Sequence, residues 1–291
     1  MCAANTLKAL YRDLIKQFEA AGIDTPDLDA RFIIEERTIF DWSDIVTRPD
    51  SPIDDSTKDL ILSDAKCRLD GVPLSRIYGQ REFWGLNFSL SEDTLDPRPD
   101  TELIIDLALQ RFSSEKPLRI LDLGTGSGCI LVSLLSEFPN ATGYGVDLSF
   151  GAIKMAKHNA HENNCENRAH FICGSWGDAI MAQNPAQSFD LIASNPPYIS
   201  NRVIPTLSRD VQNHDPILGL DGGDDGLEAY KKIFPQLKLL LRKGGTGLFE
   251  IGYDQQIDVM RLAEDAGFAL RTVHQDLARN PRVVEISCGD K

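Results

Sequence analysis

Two short segments carry residues whose types and spacing could do chemistry. The first is DLGTGSG, at 122–128, whose middle residues alternate glycine with a hydroxyl residue: Gly124, Thr125, Gly126, Ser127 and Gly128. Glycine lets the backbone turn sharply and approach a ligand closely, since it carries no Cβ. Asp147 follows about 20 residues on, a spacing at which an acid accepts hydrogen bonds from ribose hydroxyls. Together they predict a nucleoside-containing cofactor; a tight strand–helix turn beside an incidental surface acid is the alternative.

The spacing within the loop indicates the type of cofactor. A dinucleotide fingerprint reads G-x-G-x-x-G/A, whereas this loop reads G-x-G-x-G and is followed by Cys129. The loop contains no lysine, which excludes a P-loop. The pattern fits S-adenosylmethionine better, because that molecule has no pyrophosphate to place on a helix N-terminus.

The second segment is NPPY, residues 195–198. Asn195 offers a side-chain oxygen acceptor, and Tyr198 offers a flat face. Pro196 and Pro197 have no N–H, so they leave carbonyls free and fix the chain direction. Two acceptors beside an aromatic plane suit a planar –NH2 group, which the Asn195 oxygen and the Pro196 carbonyl would orient toward an electrophile. A proline-rich turn with asparagine as a cap is the alternative interpretation.

Alternating strand and helix patterns from about residue 98 would position both segments. They predict a mostly parallel sheet of seven strands with helices on both faces, and one antiparallel member among the last strands. The glycine loop, Asp147 and Asn195 each follow a strand, and ligands bind outside the carboxyl ends of such strands. The segment 198–225 is longer than a usual connector and too apolar to be disordered. It is therefore predicted to form a folded lid or wall beside the site.

The chain divides by pattern into three regions. We expect a helical N-terminal domain over 1–75, a β-hairpin linker over 76–95 and an α/β domain over 96–291. The helix in DTELIIDLALQRF is expected to begin with Asp100 or Thr101 as its N-cap. The first 22 residues resemble an amphipathic helix rather than a signal peptide.

Composition narrows the classes of function. The chain has 291 residues and a net charge of −14, which argues against a large phosphate-binding surface. A basic or neutral protein partner is compatible with that charge, and a solvated acidic surface is the plainer alternative. Six cysteines without paired spacing and five histidines predict reduced thiols in a cytoplasmic protein, with neither a metal site nor a disulfide framework. No apolar run reaches the ~18 residues that would cross a membrane.

The motifs together resemble the HemK/PrmC family of class I methyltransferases over essentially the whole chain. REFWGLNF, PRPDTE at 97–102, SNPPYI, DGLEAY and EIG carry the resemblance. It implies a Rossmann-like sheet and a protein-(glutamine-N5) methyltransferase that converts S-adenosylmethionine to S-adenosylhomocysteine. The substrate implied is the glutamine of the Gly-Gly-Gln motif in class I peptide chain release factors, during translation termination. NPPY alone is shared with DNA adenine and some rRNA methyltransferases, so an amino methyltransferase of nucleic acid is the alternative function.

The resemblance also implies site residues. The implied cofactor contacts are Gly124–Gly128, Asp147, Trp176 and Asn195; the implied substrate contacts are Asn195, Pro196, Pro197 and Tyr198, of which Asn195, Pro196 and Tyr198 are the catalytic set. Trp176 would pack on the adenine, a core or surface tryptophan being the alternative. This chain departs from its relatives at Ser175, where they often have aspartate, and at Asp215-Pro216, where they tend to have Glu-Pro.

Arg98, partners and assembly complete the expectations. Arg98 would meet a carboxylate or a backbone carbonyl near the cofactor, unless it is a surface arginine at a helix start. The helical N-terminal domain would dock the release factor, on the resemblance alone. We expect a monomer that binds neither membrane nor nucleic acid directly. A cofactor-binding protein without catalysis is the alternative from another class, and the intact NPPY argues against it.

Overall fold

The computed structural model describes residues 6–181, 189–268 and 270–287. These residues form two compact units, which divide between Tyr78 and Gly79. The first unit is helical, and the second contains a two-stranded hairpin and a seven-stranded sheet.

Five helices make the first unit: α1 Leu7–Ala20, α2 Pro26–Arg37, α3 Trp42–Thr47, α4 Asp55–Leu69 and α5 Leu74–Tyr78. Helix α1 buries Leu7, Leu10, Leu14 and Phe18, whose spacing places them on one face. Asp41 and Asp54 cap α3 and α4 by accepting the backbone N–H of the third helical residue. Apolar residues at helical spacing predict a first helix over the opening residues, a second from Asp24–Pro26 and a third near 55–70, which correspond to α1, α2 and α4; α3 and α5 are too short to show a helical period.

Nine strands follow: β1 Gln80–Phe83, β2 Leu86–Ser89, β3 Arg119–Leu123, β4 Thr142–Asp147, β5 Ala169–Cys173, β6 Phe189–Ser194, β7 Leu241–Glu250, β8 Leu270–Gln275 and β9 Pro281–Ser287. β1 and β2 form the antiparallel hairpin through Trp84 and Gly85, both with positive φ. The large sheet has the order β5-β4-β3-β6-β7-β9-β8, in which β9 runs antiparallel to both of its neighbours.

The helices of the second unit are α6 Glu102–Arg111, α7 Cys129–Glu137, α8 Phe150–Glu162, α9 Asp178–Met181, α10 Arg209–His214, α11 Ile217–Leu220, α12 Glu228–Leu240 and α13 Gln256–Asp265. They cover both faces of the sheet, so neighbouring residues of one strand join different cores. Ile120 and Leu191 belong to one apolar cluster, and Leu121 and Ile192 belong to the other. The predicted fold class, a mostly parallel sheet with one antiparallel strand, is therefore confirmed.

Pro99–Thr101 form a 3-10 turn and α6 begins at Glu102, so Thr101, one of the two predicted caps, precedes the helix, although its side chain makes no capping hydrogen bond. One predicted boundary was wrong. The pattern of GLEAYKKIFPQLKLLLRKGG predicts one helix that contains Pro235 and ends on the glycine pair, but LRKGG begins β7, because Leu241 pairs with Phe189 of β6. Pro235 does lie inside the helix, α12. Within the described ranges no helix is long and apolar enough to cross a membrane.

Candidate functional site

A cavity lies where the strand order reverses. β3 and β6 are parallel neighbours, with Asp122 opposite Ala193, but the chain visits β4 and β5 between them. Such a switch point leaves a crevice at the carboxyl ends of the two strands. The cavity there is lined by the glycine loop after β3, by Asp147 at the end of β4, by Trp176 after β5 and by Asn195 after β6. The sheet thus brings the predicted cofactor and substrate segments to one place.

Glycine is required in the loop for two separate reasons. Gly124, Gly126 and Gly128 have φ of 74°, 56° and 84°, in the left-handed region that disfavours side chains. A Cβ on Gly128 would also lie 3.1 Å from the Cβ of Ala156, on α8. The loop turns tightly, and α7 begins immediately after it at Cys129.

Asp147 is held by two backbone donors. Its Oδ2 accepts from the Gly126 N–H at 2.8 Å, and its Oδ1 accepts from the Ser149 N–H at 2.9 Å. Burial raises the pKa of Asp147, and these backbone hydrogen bonds oppose that rise by stabilising the carboxylate. Each oxygen keeps a second lone pair, so the carboxylate can also accept a pair of hydroxyl groups from a ligand.

A second acid, Asp122, is hydrogen-bonded to the glycine loop through Thr125. It is fully buried at the end of β3, and its Oδ2 accepts from Thr125 Oγ1 at 2.6 Å. Its other oxygen has no hydrogen-bond partner among the described residues. Burial raises the pKa of Asp122 to about 7. Asp122 is the first residue of the motif DLGTGSG, but the sequence alone indicated no role for it.

Trp176 lies over the glycine loop. A Cβ on Gly124 would be 3.5 Å from Cζ3 of the indole, so ring and loop are in contact range. The tryptophan itself has φ of 45°, an unusual backbone conformation for a bulky residue. Ser175 is exposed and also lines the cavity. The indole is therefore placed where it can face a flat ligand bound along the loop.

The NPPY segment divides between cavity and core. Asn195 and Pro197 line the cavity, whereas Pro196 is buried. Asn195 Nδ2 donates to Thr101 Oγ1 at 3.0 Å. The ring of Tyr198 packs against the core on one face of the sheet, and its hydroxyl donates to Glu250 Oε1 at 3.2 Å.

Thr101 and Glu250 are site residues that sequence reasoning missed. Thr101 Oγ1 donates to Glu250 Oε2 at 2.5 Å, and both side chains are buried. The Glu250 backbone carbonyl accepts from Tyr230 at 2.7 Å. Burial raises the pKa of Glu250 to about 7. The available signal was an acid ending the apolar run GLFE, at the carboxyl end of a strand.

Residues 198–225 form one wall of the cavity. They contain α10, α11 and a 3-10 turn, Ile204–Thr206, and Ile199 pairs with Asp221 in an isolated bridge. Pro216, Leu218, Gly219 and Asp221 line the cavity. The Asp215 carboxylate accepts from the Arg98 guanidinium, which joins this wall to the PRPDTE segment. Arg98 therefore does meet a carboxylate, as one of the two expectations for it stated.

The amide of Asn195 is the part of the site best suited to bind a substrate. One hydrogen of its NH2 group is bonded to Thr101, and Oδ1 is an acceptor that a ligand can use. An acceptor beside a glycine loop and the Asp147 carboxylate can hold an N–H donor next to a ligand bound in the cavity. The arrangement can orient an amino or amide nitrogen for attack.

Comparisons with known proteins agree with this geometry. Residues 9–79 match the PrmC N-terminal domain, and residues 114–267 match a methyltransferase domain. A release factor glutamine methyltransferase of Agrobacterium fabrum is 40% identical over 273 residues, covering 92% of this chain and 93% of the relative. The protein of the same name from Bradyrhizobium diazoefficiens is 38% identical over 283 residues, covering 96% and 94%.

The fold is shared more widely than the sequence. The crystal structure of the hMettl16 catalytic domain, in complex with the MAT2A 3′UTR hairpin 6, superimposes with a TM-score of 0.54 and 18% identity, over 77% of this chain and 81% of that one. That likeness concerns the fold alone. The sequence identity to the bacterial relatives, by contrast, extends from the helical unit to the last strands, and this chain belongs to the release factor glutamine methyltransferase family.

Proposed function

We propose that this protein transfers a methyl group from S-adenosylmethionine to the side-chain amide nitrogen of the Gly-Gly-Gln glutamine in class I peptide chain release factors. The names of its relatives support the substrate. The observation that carries the proposal is the orientation of Asn195. Its Nδ2 donates a hydrogen bond to Thr101, so that Oδ1 can accept a hydrogen bond from a substrate amide. Because release factors act on ribosomes, we expect the protein to work in the cytoplasm.

The cavity residues fit S-adenosylmethionine. The loop Gly124–Gly128 would lie along the methionine part of the cofactor, and Asp147 would accept hydrogen bonds from the ribose hydroxyls. Trp176 would face the adenine, with Ser175 beside it where relatives often have an acid. When bound, the cofactor supplies an activated methyl group on a sulfonium.

The residues of this chain would prepare the amide nitrogen for attack. An amide nitrogen is a poor nucleophile because its lone pair is delocalised into the carbonyl. Asn195 Oδ1 and the Pro196 carbonyl would each accept one of its hydrogens, turning the lone pair toward the methyl carbon. The cofactor would supply the methyl group to this nitrogen, which would then release one proton to solvent. Holding the two reactants in line can supply about 7–11 kcal/mol of the barrier.

Tyr198, whose ring packs against the core and is not among the described residues that line the cavity, would hold the NPPY segment in place beside the substrate amide. Its hydroxyl is held by Glu250, so the ring cannot turn freely about its side-chain bonds. Pro197, which lines the cavity, would limit how far the substrate side chain can move. These contacts would help to exclude water from the cavity when the cofactor is bound.

We further propose that the helical unit docks the release factor. It carries several exposed apolar side chains, of which Ile39 is 94% and Val46 62% exposed. Where exposed apolar groups form a contiguous patch, they are typical of interaction surfaces. Replacing Ile39 and Val46 with serine should raise KM for the release factor and leave the Kd of the cofactor unchanged; an unchanged KM would refute this role for them.

Mass spectrometry of a purified release factor would test the function. After incubation with the protein and S-adenosylmethionine, fragment spectra should place one added CH2 on the Gly-Gly-Gln glutamine. A release factor with Gly-Gly-Glu is the matched substrate control, and the Asn195→Ala enzyme is the matched protein control. Methyl transfer to DNA or rRNA in place of the glutamine would refute the proposed substrate while keeping the amino-group chemistry.

A further inference from the structure

A chain of three hydrogen bonds lies behind the substrate-facing amide. Asn195 Nδ2 donates to Thr101 Oγ1 at 3.0 Å, and Thr101 Oγ1 donates to Glu250 Oε2 at 2.5 Å. The Tyr198 hydroxyl donates to the other Glu250 oxygen at 3.2 Å. One buried carboxylate therefore holds both ends of the NPPY segment.

While Glu250 is ionised, the hydrogen bonds of this chain can point in one direction only. An ionised carboxylate has no proton to give, so the single proton of Thr101 must point at Glu250. Thr101 then presents only lone pairs to Asn195, and the asparagine must turn its NH2 group toward them. Its Oδ1 is then the atom of the amide turned away from Thr101, in a residue that lines the cavity. Tyr198 likewise donates to Glu250 and cannot donate elsewhere.

Shape alone would not fix that orientation. The oxygen and nitrogen of an asparagine amide are nearly equal in size, so a half-turn of the group costs little unless hydrogen bonds oppose it. A turned Asn195 would present N–H groups to a substrate that itself brings N–H groups. Donor would face donor, and the substrate amide would lose one of its two proposed acceptors.

We propose that Thr101 and Glu250 are positioning residues, which fix the direction of the Asn195 amide so that the substrate meets an acceptor. The inference rests on the proposed function and deepens it. Neither residue has to touch the substrate. Both act through Asn195, and Glu250 also acts through Tyr198.

The burial of Glu250 supports a role beyond folding. It is 1% exposed at the end of a strand whose preceding residues, Leu248 and Phe249, are fully buried apolar groups. Arg282, the cation near it, is hydrogen-bonded to Asp276 at 3.0 Å and paired with Asp100 at 3.1 Å. Burying an ionised group costs stability that an apolar residue would not. An acid at this position is explained by what it orients.

Protonation of Glu250 should disturb the direction of the chain. A protonated carboxyl group can donate to Thr101, whose own proton is then free to turn to Asn195. The charged and titratable groups around Glu250 are Asp100, Cys129, Tyr198, Tyr230 and Arg282. Burial raises the pKa of Glu250 to about 7, so kcat should fall as the pH is lowered through neutrality.

Paired variants of Thr101 provide the first test, with a release factor as substrate. Thr101→Val keeps the shape and removes the hydroxyl; Thr101→Ser keeps the hydroxyl. We expect Thr101→Val to lower kcat by about tenfold or more, the effect of losing roughly one hydrogen bond to a charged network. The Kd of S-adenosylmethionine should stay within about threefold, and Thr101→Ser should recover most of the wild-type kcat.

Glu250→Gln provides the second test and does not depend on Thr101→Val folding well. Glutamine has the same shape but brings an NH2 group that must donate to one of its two neighbours. We expect a lower kcat and loss of the acid limb from the pH profile of kcat. A wild-type kcat in both Thr101→Val and Glu250→Gln would overturn the inference alone, as would a Thr101→Ser enzyme as impaired as Thr101→Val. A wild-type protein that leaves the glutamine unmethylated would overturn the proposed function, and this inference with it.

Discussion

Exchanging Glu250 for glutamine should change how the stability of the protein depends on pH. Burial raises the pKa of this carboxyl group from 4.5 to about 7 in the folded protein. Between those values the folded state holds a proton that the unfolded state has released. The free energy of unfolding of the wild type therefore falls as the pH rises through this window, and the loss is complete above about pH 7.

The size of the effect follows from the two pKa values. The gap between 4.5 and about 7 corresponds to about 3 kcal/mol of stability lost on ionisation. Glutamine does not titrate, so Glu250→Gln keeps its contribution at every pH. Asp122 also has a pKa raised to about 7, but it is present in both proteins and cancels in the difference. The variant should therefore gain about 3 kcal/mol over the wild type between pH 4.5 and pH 8.

Urea unfolding of both proteins at a series of pH values would measure this difference. The slopes of the unfolding free energy against urea should match, so that the comparison concerns stability rather than compactness. A difference that stays constant from pH 4.5 to pH 8 would refute the buried-charge argument. A variant that is both more stable above neutrality and slower in catalysis would mean that the acid is kept at the expense of stability.

Three further predictions concern the cavity. Asn195→Ala should lower kcat by about 100-fold and leave the cofactor Kd within a few-fold of the wild type, because the substrate loses its orientation and the cofactor keeps its affinity. Single-turnover kinetics with a release factor would measure this, and intact activity would refute the orientation mechanism. Asp147→Ala should raise the Kd of S-adenosylmethionine by about 10- to 100-fold, the loss of charged hydrogen bonds; calorimetry would check it, and an unchanged Kd would disprove the ribose role. Gly128→Ala should lower the free energy of unfolding by about 2 kcal/mol or more, because Gly128 has a positive φ and the added Cβ would lie close to the Cβ of Ala156. Gly126→Ala is the control, since its added Cβ would meet no described atom within 4 Å, and its free energy of unfolding should fall less in the same denaturation series. Equal losses of stability would contradict the packing argument.

Local patterns predicted the parts of the site that depend on local chain geometry. Glycine at positive φ, an acid closing the next strand and a proline pair closing another are each readable within a few residues. The rule that ligands bind at the carboxyl ends of parallel strands then brought them together. The glycine loop, Asp147 and Asn195 accordingly line one cavity, as the sequence indicated.

The parts that sequence reasoning missed depend on distant partners. Thr101 and Glu250 are 149 residues apart, and nothing near either residue indicates that they meet. A polar residue at a strand end is ordinarily a surface residue, and only the packed sheet shows that this one is buried. The early start of β7 has the same origin, since the Leu241 strand exists because Phe189 lies beside it.

The same long separations have a consequence for how the chain acquires activity. Asn195 is oriented by Thr101, 94 residues earlier, and Thr101 by Glu250, 149 residues later. Contacts between such distant positions form late in folding, because closing the intervening chain costs entropy before the contact offsets it. During synthesis the glycine loop can fold long before the strand that carries Glu250 has been made. The protein should therefore acquire a cofactor-binding surface first and a properly directed amide only when β7 joins the sheet.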